Sequence, residues 1–231
     1  VPVSGKLIGR DEIRYAVESS LDGWFTSGRF AKNFENEFSK YMNQRFCLLT
    51  NSGSSANLLA LSSLTSEKLG NRRLKKDDQV MTVAAGFPTT VNPIIQNGLT
   101  PIFVDVNLDD YGIDTNLMEK ALTPKVKAIM LAHTLGHPFD IEKVQAFAKK
   151  HDLWLIEDCC DAIGSKVNGK LVGTFGDLLG GPTELERDVG DPQTELLNRL
   201  KFGIEGAAFT GAFGAIGKGV GKMRASAGTS N

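Results

Sequence analysis

The chain reads as an α/β fold with a mainly parallel sheet and helices on both faces, and three observations predict it. Short apolar runs alternate with helical patterns from Phe46 to Asp158, the order that βα units impose. The run Leu153-Trp154-Leu155-Ile156 is continuously hydrophobic, as an interior parallel strand buried on both faces should be. The 231 residues are 41% hydrophobic and 23% charged, ordinary globular values for a chain that can bury one large core. No internal repeat competes with this reading.

In chain order, Phe46 to Leu49 is the first predicted strand. It runs through Thr50-Asn51-Ser52-Gly53-Ser54-Ser55 into a helix from Ala56 to Leu64. Gln79 to Val83 is the second strand, followed by a short helix from Thr89 to Asn97. Pro101 to Val106 is the third, and a helix from Thr115 to Leu122 leads to the fourth, Ala128 to Ala132. A helix from Ile141 to His151 precedes the last strand, which ends in Glu157 and Asp158.

After Leu178 the composition changes. Glu184 to Asp191 is polar and charged, Thr194 to Phe202 fits one amphipathic helix, and Gly203 to Gly221 is rich in glycine. The apolar stretch Ile204 to Ile216 contains Glu205 and is shorter than the ~20 residues of a membrane-spanning helix. A loosely ordered tail is expected there, not a membrane anchor. A net charge of −1 gives no electrostatic reason to propose nucleic acid or an anionic membrane as partner. Cys47, Cys159 and Cys160 suit neither a disulfide framework nor a zinc knuckle, so no metal is expected. The N-terminus shows no basic region followed by an apolar one, and a cytoplasmic location is expected.

Chemistry concentrates in three loops that each follow a strand. Ser52-Gly53-Ser54-Ser55 opens a helix, where N–H groups and hydroxyls favour a phosphate; a serine-rich helix cap has the same appearance. Phe87, in Ala84-Ala85-Gly86-Phe87-Pro88-Thr89-Thr90, can stack on a flat heteroaromatic ring or pack in the core. Asp158, at the carboxyl end of its strand, lies where open α/β sheets place ligands. It suits a pyridinium nitrogen, or it caps the following helix. Together the loops specify a phosphate, a ring and a ring nitrogen: pyridoxal phosphate or pyridoxamine phosphate.

The same residues carry a family likeness. Residues 1 to about 178 resemble the N-terminal part of the DegT-type sugar aminotransferase and dehydrase family of fold-type I pyridoxal-phosphate proteins. Six ordered blocks carry it: WFTSG (Trp24 to Gly28), NSGSSANLLAL (Asn51 to Leu61), GFPTTVNPI (Gly86 to Ile94), TPIFVDV (Thr100 to Val106), HTLGHPFDI (His133 to Ile141) and IEDCCDAIGS (Ile156 to Ser165). The wording of GFPTT and HTLGHPFD is similar to the CDP-4-keto-6-deoxyglucose 3-dehydrase branch. So is Asp161, where aminotransferases usually carry Gln or His.

The resemblance implies that Ser54 and Ser55 hold the cofactor phosphate, Phe87 stacks on the ring, Asp158 pairs with the ring nitrogen and Asp161 lies near the phenolic oxygen. It implies C3 dehydration of a nucleotide-linked 4-keto-6-deoxy sugar in deoxysugar (lipopolysaccharide O-antigen) biosynthesis. A separate electron-donor reductase and a homo-oligomer go with it. His133 and His137 flank a strand-end loop and are left out of the catalytic set. Past Gly176-Asp177-Leu178 the likeness stops. Aminotransferases then carry a Schiff-base lysine and the dehydrase branch a histidine. This chain continues Leu179-Gly180-Gly181-Pro182-Thr183-Glu184-Leu185-Glu186-Arg187 with neither in that context. Arg187, near the expected histidine, stays protonated and cannot act as a base. Nor are the smaller C-terminal domain and the cluster-binding cysteines of the branch expected in residues 179–231. Residues 1–178 are therefore read as a partial large domain and 179–231 as a segment foreign to the family. A catalytically impaired chain is expected, the alternatives being a nucleotide-sugar aminotransferase and a non-catalytic remnant or fusion.

Overall fold

Helix α1 (Arg10–Leu21) and helix α2 (Arg29–Tyr41) open the part of the chain, residues 8–176, that the computed structural model describes. Neither buries a residue within its span. They meet through Tyr15 and Phe30, edge to face at 5.5 Å. Helix α3 (Gly53–Ser63) follows, then strand β1 (Gln79–Val83), helix α4 (Pro88–Gln96) and strand β2 (Thr100–Val104). The short helix α5 (Met118–Ala121), strand β3 (Val126–Ala132), helix α6 (Ile141–Lys150) and strand β4 (Trp154–Asp158) complete the alternation. A small antiparallel hairpin closes it, β5 (Lys166–Val167) with β6 (Lys170–Leu171).

The four main strands form one parallel sheet in the order β2-β1-β3-β4. The chain leaves β1 toward β2 and then returns past it to β3. The direction of winding therefore reverses between β1 and β3. Right-handed crossovers then require the helix after β1 to lie on one face and those after β2 and β3 on the other. Two cores reflect this. Ala60 and Leu61 of α3, Leu64 just after it and Ile94 of α4 pack with Val80, Ala128, Met130, Trp154 and Ile156. Met118 of α5 and Ile141, Val144 and Ala148 of α6 pack with Met81, Ile129, Leu131 and Leu155. From Ala128 to Leu131 in β3 and from Trp154 to Ile156 in β4, successive residues alternate between the two cores, as the pleat demands. A reversal point is also where α/β sheets open a crevice beyond the carboxyl ends of their strands.

The predicted parallel sheet with helices on both faces is the observed one, and the predicted β1, β3 and β4 match closely. Phe46 to Leu49 is a correction: among the described residues the run is not a strand of the sheet, whose order is β2-β1-β3-β4. Thr115 to Leu122 shrinks to the single turn of α5 because Asp114 holds a turn of its own. Its Oδ1 accepts from the Asn116 N–H at 3.0 Å and its carbonyl from the Leu117 N–H at 3.0 Å. Residues 179–231 lie outside the described residues.

Leu155 is 1% exposed between β3 and α6. Leu155→Ala should cost about 2–5 kcal/mol by denaturant unfolding, whereas Leu108→Ala, at an 85% exposed position, should change stability by less than about 0.5 kcal/mol.

Candidate functional site

Two adjacent buried carboxylates end β4, and the pleat sends them to opposite faces of the sheet. Asp158, 7% exposed, follows Trp154 and Ile156 toward α3 and α4. Its Oδ2 accepts from Asn57 Nδ2 at 2.7 Å and from the Thr90 hydroxyl at 2.7 Å. Its Oδ1 accepts from the Cys160 N–H at 3.1 Å. A carboxylate has about four acceptor positions, so one on Oδ1 is left. The capping alternative is met in part, because the Cys160 bond is an Asx-type turn; no helix follows it.

Glu157 follows Leu155 to the other face. Oε1 accepts from the N–H groups of Phe175 (2.8 Å) and Gly176 (2.7 Å), and Oε2 from Gly173 (2.7 Å). His133 Nε2 lies 3.1 Å from Oε2. The His133 ring is buried, stacks on Phe139 at 4.3 Å and leaves Nδ1 without a partner. The neutral tautomer that avoids burying an orphan N–H carries its proton on Nε2, donating to Glu157. His133 thus faces away from Asp158, and His137 is exposed. His133, Glu157 and Cys159 offer ligand atoms within 4.8 Å of one another, but both Glu157 oxygens already accept N–H bonds. Gly176 is required here, since a Cβ would sit 2.5 Å from the Leu155 carbonyl oxygen.

The helix-opening loops meet the same strand end. Ser52 caps α3, its hydroxyl oxygen accepting from the Ser55 N–H at 3.2 Å. Ser54 is exposed and Ser55 half-buried. A Cβ on Gly53 would lie 3.8 Å from Cys160 Sγ, so this loop abuts the turn after Asp158. Phe87 precedes α4, with Pro88 in the first turn, and is 71% exposed; it does not pack in the core. Asp161 is exposed on the turn after β4. A cavity of about 420 Å³ opens beside β4, lined by Gly53, Asn57, Asp158, Cys160 and apolar groups such as Phe38 and Ile156. Of the predicted site residues only Asp158 lines it: Ser54, Ser55, Phe87 and Asp161 are not among its lining residues. Burial, with the Glu157 and Asp158 carboxylates adding to it, pushes the Cys159 thiol far up. Burial and then Asp158 and Asp161 push Cys160 up as well. Neither cysteine is poised as a nucleophile.

Sequence reasoning missed Asn57 and Thr90, the two side chains that tie Asp158 to α3 and α4. Both lie within quoted blocks, each three residues after a predicted site residue, Ser54 or Phe87.

Residues 6–179 match the DegT/DnrJ/EryC1/StrS aminotransferase family. The chain belongs to this family. Among its relatives, the lipopolysaccharide biosynthesis protein RfbH of Salmonella typhimurium is 59% identical over 178 residues, 77% of this chain and 41% of that protein. The dTDP-4-dehydro-2,6-dideoxy-D-glucose 3-dehydratase of Saccharopolyspora spinosa is 51% identical over 175 residues, 76% of this chain and 38% of that one. Among solved structures, E. coli GDP-4-keto-6-deoxy-D-mannose-3-dehydratase with bound hydrated PLP superposes with a TM-score of 0.70 at 32% identity, over 76% of this chain and 45% of that one. The chain thus spans less than half the length of the family members it matches. No helix among the described residues is long and apolar enough to cross a membrane.

Glu157→Gln replaces an acceptor by a donor facing backbone N–H groups or His133. It should cost about 1–3 kcal/mol in denaturant unfolding and speed amide exchange at Gly173, Phe175 and Gly176.

Proposed function

We propose that this chain builds the cofactor-binding part of a pyridoxamine- or pyridoxal-phosphate-dependent sugar 3-dehydrase. Its substrate would be a nucleotide-linked 4-keto-6-deoxy sugar of deoxysugar (lipopolysaccharide O-antigen) biosynthesis. The observation that carries this reading is the vacant acceptor position on buried Asp158, at the carboxyl end of β4 and beside the opening of α3. A ring N–H fits that position, and the hydroxyls of Ser54 and Ser55 at the start of a helix fit a phosphate. The likeness to RfbH and to the two 3-dehydratases supports the choice of reaction.

When bound, such a cofactor supplies an amine for the sugar ketone and a ring that accepts electrons. The residues of this chain hold and orient it. Asp158 would hold the ring nitrogen, Phe87 would stack on the ring, and Ser54 and Ser55 would anchor the phosphate. Asp161 attends the phenolic oxygen. Asp158 would be engaged by the ring nitrogen, which leaves Asp161 and the loop histidines as the nearby candidates to stand in for the lysine or histidine that the family carries. His133 is committed to Glu157 on the other face, and no histidine follows His151 in the sequence. Residues 1–178 are accordingly proposed as the family unit and 179–231 as foreign to it. A homo-oligomer, a separate electron-donor reductase and a cytoplasmic setting complete the proposal.

Gel filtration of the chain with pyridoxamine phosphate, followed by absorbance of the protein peak, tests the site. Asp158→Ala should lose bound cofactor, with affinity weakened by about 3–5 kcal/mol, as when one partner of a buried charge pair is removed. Equal retention would overturn the assignment. Loss of the family's base should cut dehydration by about 10²–10⁴-fold, so mass spectrometry should find loss of water from the keto sugar near background. Rapid turnover would refute the reading of residues 179–231.

A further inference from the structure

Asp158 does not stand at the strand end on its own. Asn57 Nδ2 donates to Asp158 Oδ2 at 2.7 Å and also contacts the Thr89 carbonyl at 3.3 Å. With both amide protons directed at acceptors, the reversed amide would set oxygen against oxygen, so the orientation of Asn57 is fixed. The Thr90 hydroxyl has one proton, and it goes to the same Oδ2 at 2.7 Å. Asn57 and Thr90 are 8% and 5% exposed, so water does not compete for these bonds. The two short contacts saturate Oδ2. On Oδ1 the Cys160 N–H, at 3.1 Å, takes one position and leaves the other.

We propose that Asn57 and Thr90 are positioning residues for Asp158: they claim Oδ2 and fix the carboxylate plane, so that Oδ1 is the oxygen presented to the cofactor ring nitrogen. The inference rests on the cofactor reading above and adds to it. It also explains how three loops act together. Asn57 sits on α3 just after the serines and Thr90 on α4 just after Phe87. The two bonds therefore set the phosphate anchor and the stacking ring at fixed distances from the carboxylate. A donor lost from either helix frees the carboxylate to rotate and removes one tie between the loops. Groups held by second contacts of this kind need both orientation and support.

The test is a titration of the full chain with pyridoxamine phosphate, read by affinity and by the absorption band of the bound cofactor. Thr90→Val and Asn57→Ala should each weaken binding about tenfold or more, as for one lost hydrogen bond to a charged group. Each should also move the band toward that of a cofactor with an unprotonated ring. Thr90→Ser, which keeps the hydroxyl, should restore both. A purely structural role would lower stability while leaving the band in place. Circular dichroism monitors folding, and Asn57→Ser, too short to reach Asp158, carries the same expectation if Thr90→Val does not fold. Parental affinity and band in these variants, with cofactor lost in Asp158→Ala, would overturn the positioning role and leave the cofactor reading intact. Retention by Asp158→Ala as well would overturn the reading beneath it.

Discussion

The end of β4 places two carboxylates side by side in the interior, and most of the local architecture answers to that constraint. A buried carboxylate is costly unless its lone pairs are met. Glu157 is met by the turn through Gly173, Phe175 and Gly176 and by His133. Asp158 is met by Asn57, Thr90 and the Cys160 N–H. Asp158 thus fastens α3 and α4 to the strand end, and Glu157 fastens the turn after the β5–β6 hairpin and the loop after β3 to its other face. The difference between them lies in what is left over. Glu157 is consumed by structure, and Asp158 keeps one position in reserve.

How much of this the sequence shows depends on the range of the signals. β4 was legible because an interior strand is continuously apolar, and β1 and β3 because short apolar runs mark them; Asp140 starts α6, accepting from the Lys143 N–H at 3.2 Å. Phe46 to Leu49 has the same local signal as those strands, but strand formation depends on a neighbour that local pattern does not report. Helix α2 carries Phe30, Phe34 and Phe38 at intervals of four, a helical period. The position of Asp158 followed from strand and sheet rules. Its partners did not, because Asn57 and Thr90 are 101 and 68 residues away in sequence. An asparagine within a helix and a threonine in its first turn have ordinary local explanations.

His133 shows the opposite case. A histidine in a strand-end loop suggests a group near the site, yet the pleat and the stacking on Phe139 turn it to the α6 face. Gly136 reinforces that arrangement. Its φ of +78° and the 2.9 Å a Cβ would leave to the Asp161 carbonyl oxygen bring the turn after β3 against the turn after β4. The histidine's loop therefore serves to seat the loop that carries Asp161.

Phe87 is the residue whose placement stability alone does not account for. It stands where α4 begins, a position at which Ser, Thr, Asp or Asn stabilises a helix by about 1 kcal/mol through a side-chain bond. Phe87 makes no such bond and leaves most of its ring in solvent. Three residues later Thr90 spends its hydroxyl on Asp158. Local rules are broken in this way where a site needs the residue more than the helix does. An exposed aromatic ring at the start of the helix that also grips a carboxylate with a free acceptor position is what the proposed flat, nitrogen-bearing ring would need. Pyridoxal and pyridoxamine phosphate are such ligands, and the hydroxyls at the start of α3 are suited to the phosphate they carry.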